Sequence, residues 1–166
     1  CFQIGLYWQG LTHDLSKYSP TEFWRGARYY QGTRSPNTAE REQKGYSEAW
    51  MHHKGRNKHH FEYWTDYNPI HRKVAPVKME YVYVLEMFCD RVAASKVYQG
   101  KNYNDNHPIE YFIRGKSHRM IHPATSDAIE YLMIMLSEKG EKYTLNYIKT
   151  HRKELEDEYN KEDVII

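Results

Sequence analysis

The sequence predicts an all-α, single-domain helical bundle. Apolar residues recur at helical spacing in several segments, helix start and stop signals recur along the chain, and strand signals are weak. The 166 residues fit one domain, long enough to bury a core without disulfide staples. Residues 1–160 read as that domain and 161–166 as a frayed tail.

Taken in order, the chain opens at Cys1 already inside an apolar pattern (Phe2, Ile4, Leu6), which reads as a helix whose start lies upstream. Ser19-Pro20-Thr21-Glu22 is a helix start: Ser19 caps, Pro20 suits the first turn and Glu22 can close a capping box. That helix is expected to reach about Tyr30 and stop at Gly32. A second should begin near Asn37 or Thr38 and reach Trp50 or beyond, before Gly55 and Asn57 interrupt it ahead of His59–Trp64. Pro76 is expected to open the longest helix, from about Val77 to Tyr98, closed by Gly100. Its stripe of Val77, Tyr81, Val84, Leu85, Phe88 and Val92 and an opposite side of Tyr83, Met87, Ala94 and Val97 make it apolar nearly all round, hence central. His107 to Lys116 and Pro123 to Lys139 follow as helices. Leu145 to about Tyr159 reads as a charged, peripheral one.

The net charge of +2 gives no electrostatic reason for a nucleic-acid or membrane partner. The longest apolar run, Tyr131 to Leu136, is far too short to span a bilayer. The only cysteines, Cys1 and Cys89, form no ligand or disulfide pattern, so a reducing cytoplasm is the expected setting. Sixteen tyrosines suggest a core that tolerates polar tips, and ten histidines are what a metal or proton-transfer site would need.

Three clusters carry possible chemistry. Glu86 and Asp90 lie one turn apart on the helix that otherwise demands burial, and a buried carboxylate costs several kcal/mol unless paired or bound to a cation. The partner is either a basic side chain or a metal; Arg91 is adjacent but points about 100° away. The run Leu11-Thr12-His13-Asp14-Leu15-Ser16-Lys17 offers an imidazole and a carboxylate at one point, with Lys17 one turn on. A lone His-Asp pair is commonly a surface accident or a cap. Finally, Trp50-Met51-His52-His53-Lys54-Gly55-Arg56-Asn57-Lys58-His59-His60-Phe61-Glu62-Tyr63-Trp64 holds four of the ten histidines. On an unbroken helix His53 and His60 would stand about 10 Å apart along the axis. That is too far for two nitrogens each about 2.1 Å from one ion. Either the helix breaks at Gly55 and folds them together, or the stretch is a wet basic loop; its flanking aromatics argue for anchorage in the core. The remaining histidines (His71, His107, His118, His122, His151) sit near turns or on polar faces.

The order His-Asp, His, His-His, Asp resembles the HD superfamily of metal-dependent phosphohydrolases, especially its two-metal members, over about residues 11 to 91. Leu15-Ser16-Lys17 is similar to that family's continuation after the His-Asp pair. Nearly the whole chain also resembles an uncharacterised bacterial family, a domain of unknown function, with HHKGRNKHHFEYW as its signature. The first resemblance implies an HD-domain-like fold in which His13, Asp14 and Asp90 hold one divalent ion. Asp14 would bridge to a second ion held by His53 and His59 or His60. The superfamily's further histidine, upstream of its His-Asp pair, has no counterpart in residues 1–12 and is expected before Cys1.

The function expected on this basis is hydrolysis of a phosphate ester, possibly a nucleotide, by metal-activated water. Lys17 and Arg56 would supply positive charge and Glu86 would take the proton or orient the water. The divalent metal, whether Mn, Fe, Zn, Ni or Mg, is not distinguished by these donors. Two rivals stand beside it: a di-iron oxygenase on an HD-type framework, and a non-catalytic, metal-stabilised helical binding module.

Overall fold

The structure, a computed structural model, describes residues 1–32 and 34–161. Its regular elements are helices α1 (Tyr7–Thr12), α2 (Pro20–Tyr29), α3 (Pro36–Lys44), α4 (Glu48–Lys54), α5 (Tyr81–Gln99), α6 (His107–Gly115), α7 (Pro123–Lys139) and α8 (Glu141–Lys161). Between α4 and α5 lies one hairpin, β1 (Thr65–Asn68) with β2 (Lys73–Pro76). The all-helical expectation therefore holds, with a small antiparallel addition. No described helix is long and apolar enough to cross a membrane.

Local signals explain the boundaries. Ser19 caps α2, its hydroxyl accepting from the Glu22 amide at 3.3 Å. The reciprocal half of the capping box is not made. The Ser19 amide donates instead to the Ser16 carbonyl at 2.9 Å, and the Glu22 carboxylate is engaged elsewhere. The helix expected to run through to Trp50 is two helices. Gly45 adopts φ 82°, a left-handed turn that closes α3, and Ser47 then caps α4 by accepting from the Trp50 amide at 3.0 Å.

The helix expected from Val77 starts four residues later. Pro76 ends a strand paired with Thr65, and the Val77 amide donates to the Trp64 carbonyl at 2.8 Å. The hairpin turn is set by Asn68, whose side-chain oxygen accepts from the amides of Ile70 and His71. α5 is central as expected, with Val84, Leu85 and Phe88 fully buried against Ile129, Leu132, Met133 and Leu136 of α7 and Phe112 of α6. Its last turn departs from that pattern, because Val97 is 79% exposed.

α8, not α5, is the longest helix, and it is not peripheral. Thr144, Ile148 and Tyr159 are buried, and α8 packs on α7 and on the Phe2–Ile4 turn. The Tyr159 hydroxyl donates to the Met79 carbonyl at 2.7 Å and lies 2.9 Å from the Thr125 hydroxyl. This fixes the segment that launches α5. His122, expected near a turn on a polar face, is indeed at the start of α7 but buried. The frayed tail, beyond Lys161, lies outside the described residues. Tyr159→Phe should lower stability by about 1–2 kcal/mol by leaving the Met79 carbonyl unpaired; an unchanged urea midpoint would show that the hydroxyl contributes nothing to anchoring α5.

Candidate metal centre

Four separate pieces of chain meet on one side of α5. α1 ends at Thr12, so His13 and Asp14 sit in the tight turn that leads into the single-turn helix Leu15–Tyr18. α4 ends at Lys54, and the chain turns back on itself. The Asn57 amide donates to the His53 carbonyl and the His60 amide to the Asn57 carbonyl, both at 3.1 Å. The Asn57 side chain clamps this turn, donating to the His53 carbonyl at 2.8 Å and to the Ser16 hydroxyl at 2.7 Å. Trp64 holds the far side by donating its indole N–H to the Lys58 carbonyl at 2.7 Å, and Phe61 is buried.

The break therefore folds the histidines together. Ring centroids lie 4.7 Å apart for His53 and His60, 4.2 Å for His59 and His60, and 6.2 Å for His53 and His59. His53, His59 and His60 offer ligand atoms all within 4.8 Å of one another. His13, Asp14 and Asp90 do the same. Asp14 links the two groups: its Oδ1 is 3.4 Å from His53 Nε2 and 3.9 Å from His59 Nε2, and its Oδ2 is 3.6 Å from His13 Nε2.

The second layer decides what the imidazoles present to this centre. Glu22 on α2 binds His53 Nδ1 at 2.8 Å and His52 Nδ1 at 2.6 Å. Glu86 on α5 binds His59 Nδ1 at 2.9 Å, and the Gly10 carbonyl lies 3.2 Å from His13 Nδ1. Each acceptor assigns the ring proton to Nδ1. The Nε2 atoms of His13, His53 and His59 are then lone pairs turned toward Asp14. His59 Nε2, His60 Nε2 and Asp14 Oδ1 are all buried without a hydrogen-bond partner. Acceptors facing acceptors across 3.4–3.9 Å in a buried site repel unless a cation lies between them. The donor set fits a metal for that reason: mixed imidazole and carboxylate on one side, three imidazoles on the other.

Electrostatics favour the ligating form of Asp14, His53 and His60. Burial opposes ionisation of Asp14, but the hydrogen bond and charge of Lys17, with His53 and His13, hold its carboxyl below the ordinary value. The same balance holds for Glu22, where burial is outweighed by hydrogen bonds from His52, Ser16 and His53. Burial pushes His53 down despite Glu22 and Asp14, and it pushes His60 down to about 2, helped by the charges of His59 and His53.

All six sequence-predicted ligands are thus brought together: His13, Asp14, Asp90, His53, His59 and His60. His59 and His60 both face the centre, where the sequence left a choice between them. Asp90 makes no hydrogen bond or ion pair among the described residues. Lys17 is at the site, its ammonium 2.5 Å from Asp14 Oδ2. Glu86 is 4% exposed and engaged with His59, which makes it a positioning residue rather than a carboxylate facing water. Arg56 is exposed and donates to the His52 carbonyl at 3.4 Å; it makes no hydrogen bond or ion pair to the centre among the described residues. Sequence reasoning missed Glu22, Ser16 and Asn57 as supports. Ser16 and Asn57 lay inside stretches already singled out for chemistry; Glu22 did not.

The depressed histidines predict how the chelator-treated protein responds to acid. Below about pH 6.5 the unfolded chain takes up protons on these imidazoles while the folded chain refuses them, so stability falls as pH drops. His60 alone should contribute about 1.4 kcal/mol per pH unit well below that value. The lowered Asp14 and Glu22 lose their stabilising contribution only at still lower pH, below their ordinary values of 3.8 and 4.5. Urea unfolding between pH 7 and 5 should therefore steepen, and His60→Gln should flatten the slope. A slope unchanged by that substitution would mean His60 titrates normally.

No curated protein and no solved structure matches the chain. The family that does match covers residues 1–135, a span that holds every candidate ligand from His13 to Asp90, and its description names neither an activity nor a tie to the HD superfamily. On that match the chain belongs to DUF5662, a family of unknown function.

Proposed function

We propose that this protein is a metal-dependent phosphohydrolase of HD type. The observation that supports this most is the convergence of His59 Nε2, His60 Nε2 and Asp14 Oδ1, buried and without hydrogen-bond partners among the described residues. His53, His59 and His60 would hold one divalent ion, His13 and Asp90 another, and Asp14 both. Such ions supply a hydroxide-like water near neutral pH and offset charge on phosphoryl oxygens.

The chain's own residues do the rest. Glu22 and Glu86 accept at Nδ1 of His53 and His59 and so orient each ring with Nε2 toward the centre. Burial of His59 keeps bulk water from its ring face. Lys17 is 60% exposed at its side chain and tied to Asp14 at its ammonium. It sits where a phosphate oxygen approaching the Asp14 side would meet positive charge. Arg56, exposed and bonded back to its own helix, is left without a role in this reading.

The test is metal content followed by turnover. The protein, purified without chelator, should carry up to two divalent ions per chain, and Asp14→Ala should lose both. Lys17→Ala should keep its metal and lose about 10- to 100-fold in hydrolysis of a simple aryl phosphate with manganese. Full metal stoichiometry in Asp14→Ala would contradict the bridging role. Bound iron with an oxygen-dependent absorption band and no phosphatase activity would favour the oxygenase instead. Tight metal binding that raises the melting temperature without turnover on any ester would leave a structural site.

A further inference from the structure

Arg91 follows Asp90 on α5, yet it pairs with neither Asp90 nor any other acid among the described residues. An arginine carries five N–H donors and is rarely left without acceptors when it is withdrawn from water. Here the Nε is buried with no hydrogen-bond partner, and among the described residues the guanidinium makes no hydrogen bond and no ion pair. It lies 5.8 Å from the centroid of the fully buried Phe112 ring.

A second cation shares that ring. Arg119 lies 5.1 Å from the Phe112 centroid and is held there by donating to the carbonyls of Phe112 at 2.7 Å and Tyr111 at 3.3 Å. Burial and then the Arg119 charge work against the Arg91 cation, while Asp90 and Glu62 attract it from beyond ion-pair range. Glu62 does not resolve the imbalance, since its own Oε2 is buried without a partner. Two guanidinium groups beside one aromatic ring, one of them half-buried and with no protein acceptor among the described residues, form a place for an oxyanion. The place lies next to the candidate metal centre along α5, because Arg91 directly follows Asp90, which groups with His13 and Asp14.

We propose that Arg91, backed by Arg119, receives a second oxyanion of the substrate, a phosphoryl or carboxyl group linked to the phosphoryl group that is cleaved. This rests on the hydrolase reading and narrows it: the substrate carries two anionic groups rather than one. Arg91 is then a specificity residue, and compounds with a lone phosphate should bind more weakly than those with a second anion.

The experiment is equilibrium binding to the metal-loaded protein, with metal content measured after each titration. The probes are inorganic phosphate, pyrophosphate and phosphonoacetate, the last two presenting a second phosphoryl or a carboxyl group. Wild type should bind at least one of the two-headed probes about tenfold or more tighter than phosphate, and the better one identifies the second group. Arg91→Gln should lose most of that preference while binding phosphate within about threefold of wild type, and Arg91→Lys, which keeps the charge, should retain part of it. A preference that survives in Arg91→Gln overturns the proposal, as does its absence in wild type that still binds phosphate. Metal-loaded wild type that binds none of the three sinks both this proposal and the hydrolase reading. Should Arg91→Gln melt too low to assay, loss of the preference in Arg91→Lys supports the proposal and its full retention, with unaltered salt dependence, overturns it.

Discussion

The Asp14 carboxylate, confronted by imidazole lone pairs, is the constraint around which the structure is arranged. One oxygen faces His53 and His59 with no proton to share, and the other is held by Lys17. Left alone, this cluster would repel itself. The surrounding structure nevertheless takes pains to keep it: Glu22 and Glu86 direct ring protons outward, and Asn57 and Ser16 lock the turn that brings His53 to His60. Two buried glutamates accept at Nδ1 of His53 and of His59, which leaves each Nε2 to face Asp14.

The fold serves that cluster through α5. The helix is central because its apolar residues face α6 and α7, and the same packing fixes Glu86 and Asp90 as two successive turns of one rigid rod. α8 matters at a distance. Tyr159 grips the Met79 carbonyl just before α5 begins, so the longest helix braces the start of the helix that presents the acids. α2 and α4 pack together on the other side and carry Glu22 and His53 into contact.

Much of this was legible in the sequence, and the limits have physical causes. The grouping of these side chains could be read because a metal site demands particular residue types, and because Gly55 and Asn57 marked the one break that could gather the histidines. α7 was readable from Pro123 to Lys139 because proline and glycine bound it and its apolar spacing is regular. Glu22 was read as a helix cap, since a glutamate three residues after a serine fits that local rule; its true partners lie 30 and 31 residues away, beyond any local pattern. Gly45 sits in a polar helical stretch where continuation and a left-handed turn look alike. The hairpin escaped because its strands are four residues each, and Pro76 reads equally well as a helix start or a strand end. α8 looked peripheral because it is highly charged, and only three of its residues are buried.

The two halves of the ligand shell differ in how far apart the chain places them. His53, His59 and His60 come from a stretch of eight residues, whereas Asp14 and Asp90 are 76 positions apart. A denatured chain can wrap the histidine trio around an ion by closing only a short loop, but it meets Asp14 and Asp90 together only after the long-range packing is complete. Binding to the unfolded chain subtracts from what a ligand adds to the native one. An ion held by the trio would therefore be met early in folding, whereas one held by Asp14 and Asp90 would depend on the finished fold.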